Sequence, residues 1–113
     1  MPRALKKIDE FDYKLERERD DPAATVFRLR PLTSVHAMEV AELQRSSSLT
    51  AARRMTLFLG LKGWTRFLDD NGEEIPFSSD IDANLARFTV EDIVELATAI
   101  LDASKVTEEE RKN

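Results

Sequence analysis

The residues of this chain that could ligate a metal ion form one acidic pattern. Asp80, Asp82 and Asn84 are spaced two residues apart. Counted from Asp80 as the first position, Glu91 stands at the twelfth, which is the spacing of oxygen ligands in an EF-hand calcium loop. The sixth position of such a loop requires glycine for its sharp turn, and here it is Leu85. We therefore expect helix caps and a solvated acidic surface at these residues rather than a calcium site.

No set of residues in the sequence is typical of a catalytic site. The chain has no cysteine and a single histidine, His36, so thiolate chemistry and histidine-based metal or nucleophile sites lack their partners. Three glycines are too few for a phosphate-binding loop, and no serine stands in a nucleophile-elbow motif. We predict that the protein is not an enzyme and uses no cofactor, and that His36 packs against its helix or caps it.

The stretch GWTRFLDDNGEEIPFS at 63–78 places the only tryptophan beside the most acidic loop. Asn71 and Gly72 accept positive φ and predict a tight turn. Around this turn we expect a small hairpin or compact loop, acting as a structural connector between two helical parts. The predicted structural anchors of this connector are Trp64, Phe67, Ile75 and Phe77.

Charge is divided unevenly along the chain. Residues 1–66 carry 13 Lys/Arg and 9 Asp/Glu, a net charge of +4, and residues 67–113 carry 4 and 13, a net charge of −9. Two interpretations are open: the halves face each other within one fold, or they attract other copies head to tail and form a homo-oligomer. The overall net charge of −5 argues against nucleic-acid binding.

Basic residues gather around the second predicted helix, where they form a candidate interaction surface. An acidic segment, for example from another copy, is one partner that this surface would suit, and a simple solvated face is the alternative. The residues are Arg53, Arg54, Lys62 and Arg66.

The length of 113 residues predicts one domain, 1–113, with flexible ends at 1–10 and 105–113. No apolar run approaches the roughly 20 residues needed to cross a bilayer. The amino-terminal residues lack the apolar core of a secretory signal. We therefore expect an intracellular protein that has no membrane partner.

Alternating apolar and charged residues at 11–16 and 25–30 predict an antiparallel β-hairpin. On its outer face, Asp12 and Glu16 are expected near the arginines of the second strand. The residues predicted to face inward are Phe11, Tyr13, Leu15, Phe27 and Leu29.

Helical spacing predicts amphipathic helices from the Thr33 cap to about Arg45, over about 49–59 with Ser48 or Thr50 as the cap, and from the Thr89 cap to about Ala103. A short turn is expected near Ile81. The fold class is therefore α+β, mainly α-helical, with an amino-terminal antiparallel β-hairpin packed against three to four amphipathic helices. The predicted apolar faces are Val35, Met38, Val40, Ala41 and Leu43, then Ala52, Met55, Phe58 and Leu59, and finally Val90, Ile93, Val94, Ala97, Ile100 and Leu101.

Several short motifs follow one another between residues 25 and 113. They are RLRPLT at 28–33, GW at 63–64, DDNGEEIPFS at 69–78, VEDIVELATAIL at 90–101, and a glutamate-rich end in Arg-Lys-Asn. This order resembles the small tail assembly chaperones of long-tailed bacteriophages.

The resemblance implies a non-enzymatic protein of a phage or prophage, made in the host bacterial cytoplasm. Such chaperones associate with their own copies and coat the tape-measure protein before the tail tube polymerises around it. They are absent from the mature virion. Many also occur in a longer form, made by a programmed frameshift, whose added domain contacts the tail-tube protein. The family brings no catalytic residues to this chain.

Two alternative functions are also open. One is a structural part of the virion, of the head-tail connector or tail-completion type. The other is a small adaptor that acts on a host protein. A gene position between a tail-tube gene and a very long helical gene would favour the chaperone.

The poor EF-hand match predicts that calcium does not stabilise the fold. Thermal unfolding curves recorded with and without millimolar Ca²⁺ should superimpose, because a ligand raises the melting temperature only if it binds the folded state. A rise of several degrees in calcium that Glu91→Ala removes would contradict this prediction.

Overall fold

The fold consists of a three-stranded antiparallel sheet and four helices, seen in a computed structural model that describes residues 9–112, with side chains described to Lys105. The strands, in sheet order, are β1 (Phe11–Tyr13), β2 (Val26–Leu29) and β3 (Leu61–Thr65). The helices are α1 (Ser34–Ser46), α2 (Leu49–Gly60), α3 (Ile81–Leu85) and α4 (Val90–Lys112). This architecture confirms the predicted α+β class. Most of the ends predicted to be flexible, 1–10 and 105–113, lie outside the described residues or side chains.

The predicted hairpin of β1 and β2 is confirmed. Phe11 pairs with Leu29 and Tyr13 with Phe27, so alternate side chains point to the same, inner face. On the outer face the Arg28 guanidinium donates to the carboxylate of Asp12 over 2.9 Å.

The predicted position of Glu16 on the outer face of the hairpin is wrong. The chain leaves the strand after Tyr13 and forms a turn of 3₁₀ helix at Glu16–Glu18. The second carboxylate that binds Arg28 is instead Glu10, also at 2.9 Å. A strand of three residues is too short to carry the alternation to Glu16.

Strand β3 was not predicted. It begins directly after α2 and pairs antiparallel with β2, Trp64 opposite Phe27 and Gly63 opposite Arg28. The register shifts beside Leu29, which leaves Lys62 at a β-bulge. A short segment with an internal glycine has a weak strand pattern, and only its partner β2 makes it a strand.

Side-chain caps begin the helices where the sequence predicted them. The Thr33 Oγ1 accepts from the backbone N–H of His36, three residues on, at 3.2 Å. Ser48 caps α2 in the same way at 3.0 Å, and Thr89 caps α4 at 3.2 Å. These hydrogen bonds satisfy donors that the first turn of a helix leaves unpaired.

Helix α2 is central, because it packs against both α1 and α4 and continues into β3. Apolar side chains from the inner face of the sheet, from α2 and from α4 form one core. The buried residues of this core are Leu15, Phe27, Leu29, Leu32, Val40, Ala52, Leu57, Leu61, Trp64, Ile75, Leu96 and Ile100. No helix in the described part of the chain is long and apolar enough to cross a membrane.

Polar contacts fasten the hairpin connection to the first turns of α4. The Arg17 guanidinium donates through both terminal nitrogens to Asp92, whose side chain is buried. One turn later, Glu95 accepts from the Tyr13 hydroxyl at 2.7 Å and from the Glu16 N–H at 2.8 Å. Burial and the Glu95 carboxylate raise the pKa of Tyr13 above its ordinary value, so its hydroxyl stays a donor.

The close approach of α2 to α4 predicts that Gly60→Ala destabilises the fold. A Cβ at Gly60 would lie 2.6 Å from Cδ1 of the buried Ile100 and 3.0 Å from the Arg30 carbonyl. Such overpacking costs about 1–3 kcal/mol, which the higher helix propensity of alanine, worth about 1 kcal/mol, offsets in part. Urea unfolding followed by circular dichroism measures the net loss.

The matched control for this substitution is Gly63→Ala, since a Cβ at Gly63 meets nothing within 4 Å. Its unfolding free energy should stay within about 0.5 kcal/mol of the parent. Equal stability of the two variants would show that Ile100 moves aside without cost.

Candidate interaction surface

Trp64 lies at the centre of an aromatic cluster in the core. It is 9% exposed, and its indole Nε1–H donates to the Ile75 carbonyl at 2.6 Å. The rings of Phe67 and Phe77 each contact the Trp64 ring edge to face, and each ring centroid lies 4.9 Å from that of Trp64. Phe88 also contacts the indole, at 5.8 Å, and stacks on Phe67 at 5.2 Å. The indole is thus enclosed by protein and is not a platform for a ligand.

Three of the predicted anchors surround Trp64, with different exposures. Ile75 is buried, Phe67 is half-buried and Phe77 remains 39% exposed. Phe88 also belongs to this cluster and was not predicted. The one feature of the sequence that could have indicated Phe88 is that an aromatic residue stands directly before the Thr89 cap.

The acidic loop that follows Trp64 uses its polar groups for its own backbone. The Asp69 carboxylate accepts from the N–H of Asn71 at 2.9 Å and of Glu73 at 3.0 Å. Gly72 has φ of 78°, the conformation that favours glycine, and Leu68 pairs with Glu74 in an antiparallel bridge. The loop is therefore a hydrogen-bonded turn whose acidic residues face solvent.

The residues with EF-hand spacing are also engaged in local structure. Asp80 caps α3 by accepting from the Asp82 N–H at 3.0 Å. Asn84 is 2% exposed, and its side chain bonds both the N–H and the carbonyl of Ser78. Among the described residues, no group of three or more His, Cys, Asp or Glu side chains is placed to hold a metal ion. His36, predicted to pack or cap, is half-buried on α1.

The four basic residues of the predicted surface have different surroundings. Arg54 binds Asp82 of α3 with two hydrogen bonds, of 2.8 and 2.9 Å, and these hold the pKa of the Asp82 carboxyl below its ordinary value. Arg53 is half-buried on α2, and Lys62 is exposed at the β-bulge. The structure thus spreads these side chains over α2 and β3, and Arg54 already has an acidic partner.

Arg66 is held in a left-handed conformation, with φ of 59°. Its N–H donates to the Glu74 carboxylate at 2.7 Å, and its carbonyl accepts from the Thr25 hydroxyl at 2.9 Å. Its guanidinium Nε donates to the Ala24 carbonyl at 3.3 Å. This backbone conformation costs about 1–2 kcal/mol in a residue other than glycine, and the three contacts offset it where the chain turns from β3 into the acidic loop.

Ion pairs join the basic and acidic halves of the chain. Arg17 and Arg54, from the first half, bind Asp92 and Asp82, from the second. These pairs favour the interpretation in which the halves face each other within one fold. Because Arg54 and Asp82 are well exposed, solvent screens their attraction and their pair contributes little to stability.

Val35 and Met38 belong to the predicted apolar face of α1 but lie outside the core. They are 63% and 72% exposed. Helix α1 packs through Val40, with Ala37 and Leu43 half-buried beside it, and these residues lie on the other side of the helix. Val35 and Met38 are three residues apart and so share one solvent-facing side, which we call the α1 apolar face.

Three further residues of the predicted apolar faces are exposed. Ala41 continues the exposed side of α1. Phe58 is 54% exposed, because α2 buries its opposite side through Leu57, which was not predicted. Val90 is 74% exposed as the first residue of α4. Helical periodicity identifies an apolar stripe, but only the packing of neighbours decides whether the stripe is covered.

Comparisons of the chain with protein-family models, curated proteins and solved structures found no match.

The enclosure of the indole predicts that Trp64→Ala is strongly destabilising. Removal of a buried aromatic side chain costs about 3–5 kcal/mol, and Trp64→Phe should cost less but leave the Ile75 carbonyl unpaired. Chemical denaturation gives both values. Leu68→Ala, at a residue 52% exposed, is the control and should stay within about 0.5 kcal/mol of the parent. A Trp64→Ala protein as stable as the parent would contradict the core position.

Proposed function

We propose that this protein is a non-enzymatic tail assembly chaperone of a phage or prophage, which self-associates and coats the tape-measure protein while the tail assembles. The observation that supports this most is the α1 apolar face, because Val35 and Met38 expose large apolar side chains at helical spacing. Adjoining exposed apolar side chains mark surfaces that bind another protein, whereas isolated ones are ordinary, and Val35 and Met38 adjoin each other on α1. The order of motifs between residues 25 and 113 supports the same function by resemblance.

The α1 apolar face suits an apolar helix as its partner. Side chains three residues apart on one helix form a ridge that fits between the ridges of another helix. Met38 is unbranched and flexible, so it adapts to partner surfaces of different shape. A tape-measure protein presents a long helix of changing sequence, and adaptable contacts would allow one chaperone to bind along its length.

Each copy would bind weakly by this face alone. Burial of an aliphatic side chain contributes about 1.5–3 kcal/mol, and two such side chains must also offset the entropy lost on association. Copies that contact one another along the same partner helix would bind with much higher avidity. Self-association is therefore part of the proposed mechanism, and apolar contacts would drive it more than charge, since two arginines of the basic half already bind acidic residues within the chain.

In this proposal the protein acts in the host bacterial cytoplasm and is released before the virion is complete. Its partners are other copies of itself, the tape-measure protein and, through any longer form, the tail-tube protein. Membrane, nucleic acid, metal and cofactor have no part in the mechanism.

The substitution Met38→Asp tests the proposed surface. A carboxylate at this position should weaken capture of the tape-measure protein by at least about tenfold, or 1.4 kcal/mol, because it stays solvated and cannot enter an apolar contact. Co-expression with the tape-measure protein, followed by affinity capture, measures the retained fraction. The melting temperature should be unchanged, since Met38 is 72% exposed.

The control for this experiment is Leu68→Asp, which places the same charge at an exposed apolar residue outside α1. It should capture the tape-measure protein as the parent does. Full capture by a Val35→Asp, Met38→Asp double variant would overturn the role of the α1 apolar face. Detection of the protein in purified virions would overturn the chaperone function in favour of a structural part of the particle.

A further inference from the structure

Among residues 9–112, strand β1 has a neighbouring strand on one side only. It stands first in the order β1-β2-β3, so its only neighbour among the described strands is β2. Within residues 9–112, the backbone hydrogen bonds outside the helices and ladders do not involve Phe11–Tyr13. An extended chain can add to such an edge through main-chain hydrogen bonds.

Residues of β1 also line a shallow cavity that is open to solvent. Tyr13 and Val26 are half-buried and supply its apolar surface. The residues that line the cavity are Asp12, Tyr13, Lys14, Arg19 and Val26.

The two cations of the cavity have no acidic partner in the described part of the chain. Lys14 makes no ion pair among residues 9–105. Arg19 is held in place by the Lys14 carbonyl, to which it donates at 3.3 Å, and lies over the Tyr13 ring at 5.5 Å. Asp12, the acid of the lining, is already bonded to Arg28. A carboxylate that entered the cavity would therefore meet two cations that form no ion pair within residues 9–105.

We propose that the β1 edge and this cavity bind an extended, acidic peptide segment of a partner protein. The main chain of the segment adds to β1 as a fourth strand. Its carboxylates pair with Lys14 and Arg19, which follow β1 in the chain. The occupant is extended because the open element is a strand edge, and acidic because the uncompensated charges are positive. The site does not depend on the proposed function, since it shares no residue with the α1 apolar face.

The probe for this site is a fluorescein-labelled peptide of alternating valine and glutamate, and its binding to the full chain is followed by fluorescence anisotropy. Two matched peptides isolate the two contacts: glutamine in place of glutamate removes the charge, and proline in place of alternate valines removes main-chain donors. Both should bind at least about tenfold more weakly, or by 1.4 kcal/mol. Binding of the parent peptide should weaken as salt rises, because salt screens exposed charges.

The decisive variant is Lys14→Glu, and its control is Lys62→Glu, which makes the same charge change on β3 outside the cavity. Lys14→Glu should weaken binding by at least about tenfold, while Lys62→Glu should change it less than twofold. If Lys14→Glu lowers the melting temperature, the peptide binding of Arg19→Ala is measured as a second test.

Three outcomes overturn the proposal. The first is an absence of binding at millimolar peptide, and the second is an equal loss in the Lys14 and Lys62 variants. The third is undiminished binding of the proline peptide together with full competition by acetate, which would show a site for small anions and no added strand.

Discussion

Helix α2 passes into strand β3 at Gly60 without an intervening loop, and the rest of the core depends on this junction. The Gly60 carbonyl accepts from the Arg30 N–H at 2.8 Å, which ties the end of β2 to the end of α2. The missing side chain of Gly60 leaves the space that Ile100 of α4 occupies. One glycine therefore sets how closely the sheet, α2 and α4 approach one another. A larger residue would separate all three, because a packed interior cannot absorb an added methyl group without strain.

Polar contacts then join the remaining segments to this core. Asp92 and Glu95, one turn apart on α4, hold the connection between β1 and β2 through Arg17 and Tyr13. At the other side, the Trp64 indole binds the carbonyl of the returning loop while its ring fills the aromatic cluster. Both arrangements pair their buried polar groups, and the described side chains leave no buried nitrogen or oxygen without a partner.

The surface proposed for binding is separate from the residues that stabilise the fold. Of the residues that could suggest a metal site, Asp80 caps α3, Asp82 pairs with Arg54 and Asn84 binds Ser78, so these three stabilise local structure. The α1 apolar face contributes little to the core, since Val35 and Met38 are mostly exposed. Apolar side chains that the fold does not need to bury are available to a partner, and a chaperone of the proposed kind would benefit from contacts that are weak in each copy.

The sequence by itself determined the features that depend on near neighbours in the chain. The caps at Thr33 and Ser48, the turn at Gly72 and the alternation of the hairpin were all predictable, because each rests on contacts or conformations within a few residues. The tertiary structure alone decided that residues 61–65 form a strand and that Met38 is exposed. Both depend on which distant element comes to lie alongside, and an apolar stripe has the same periodicity whether or not another element covers it.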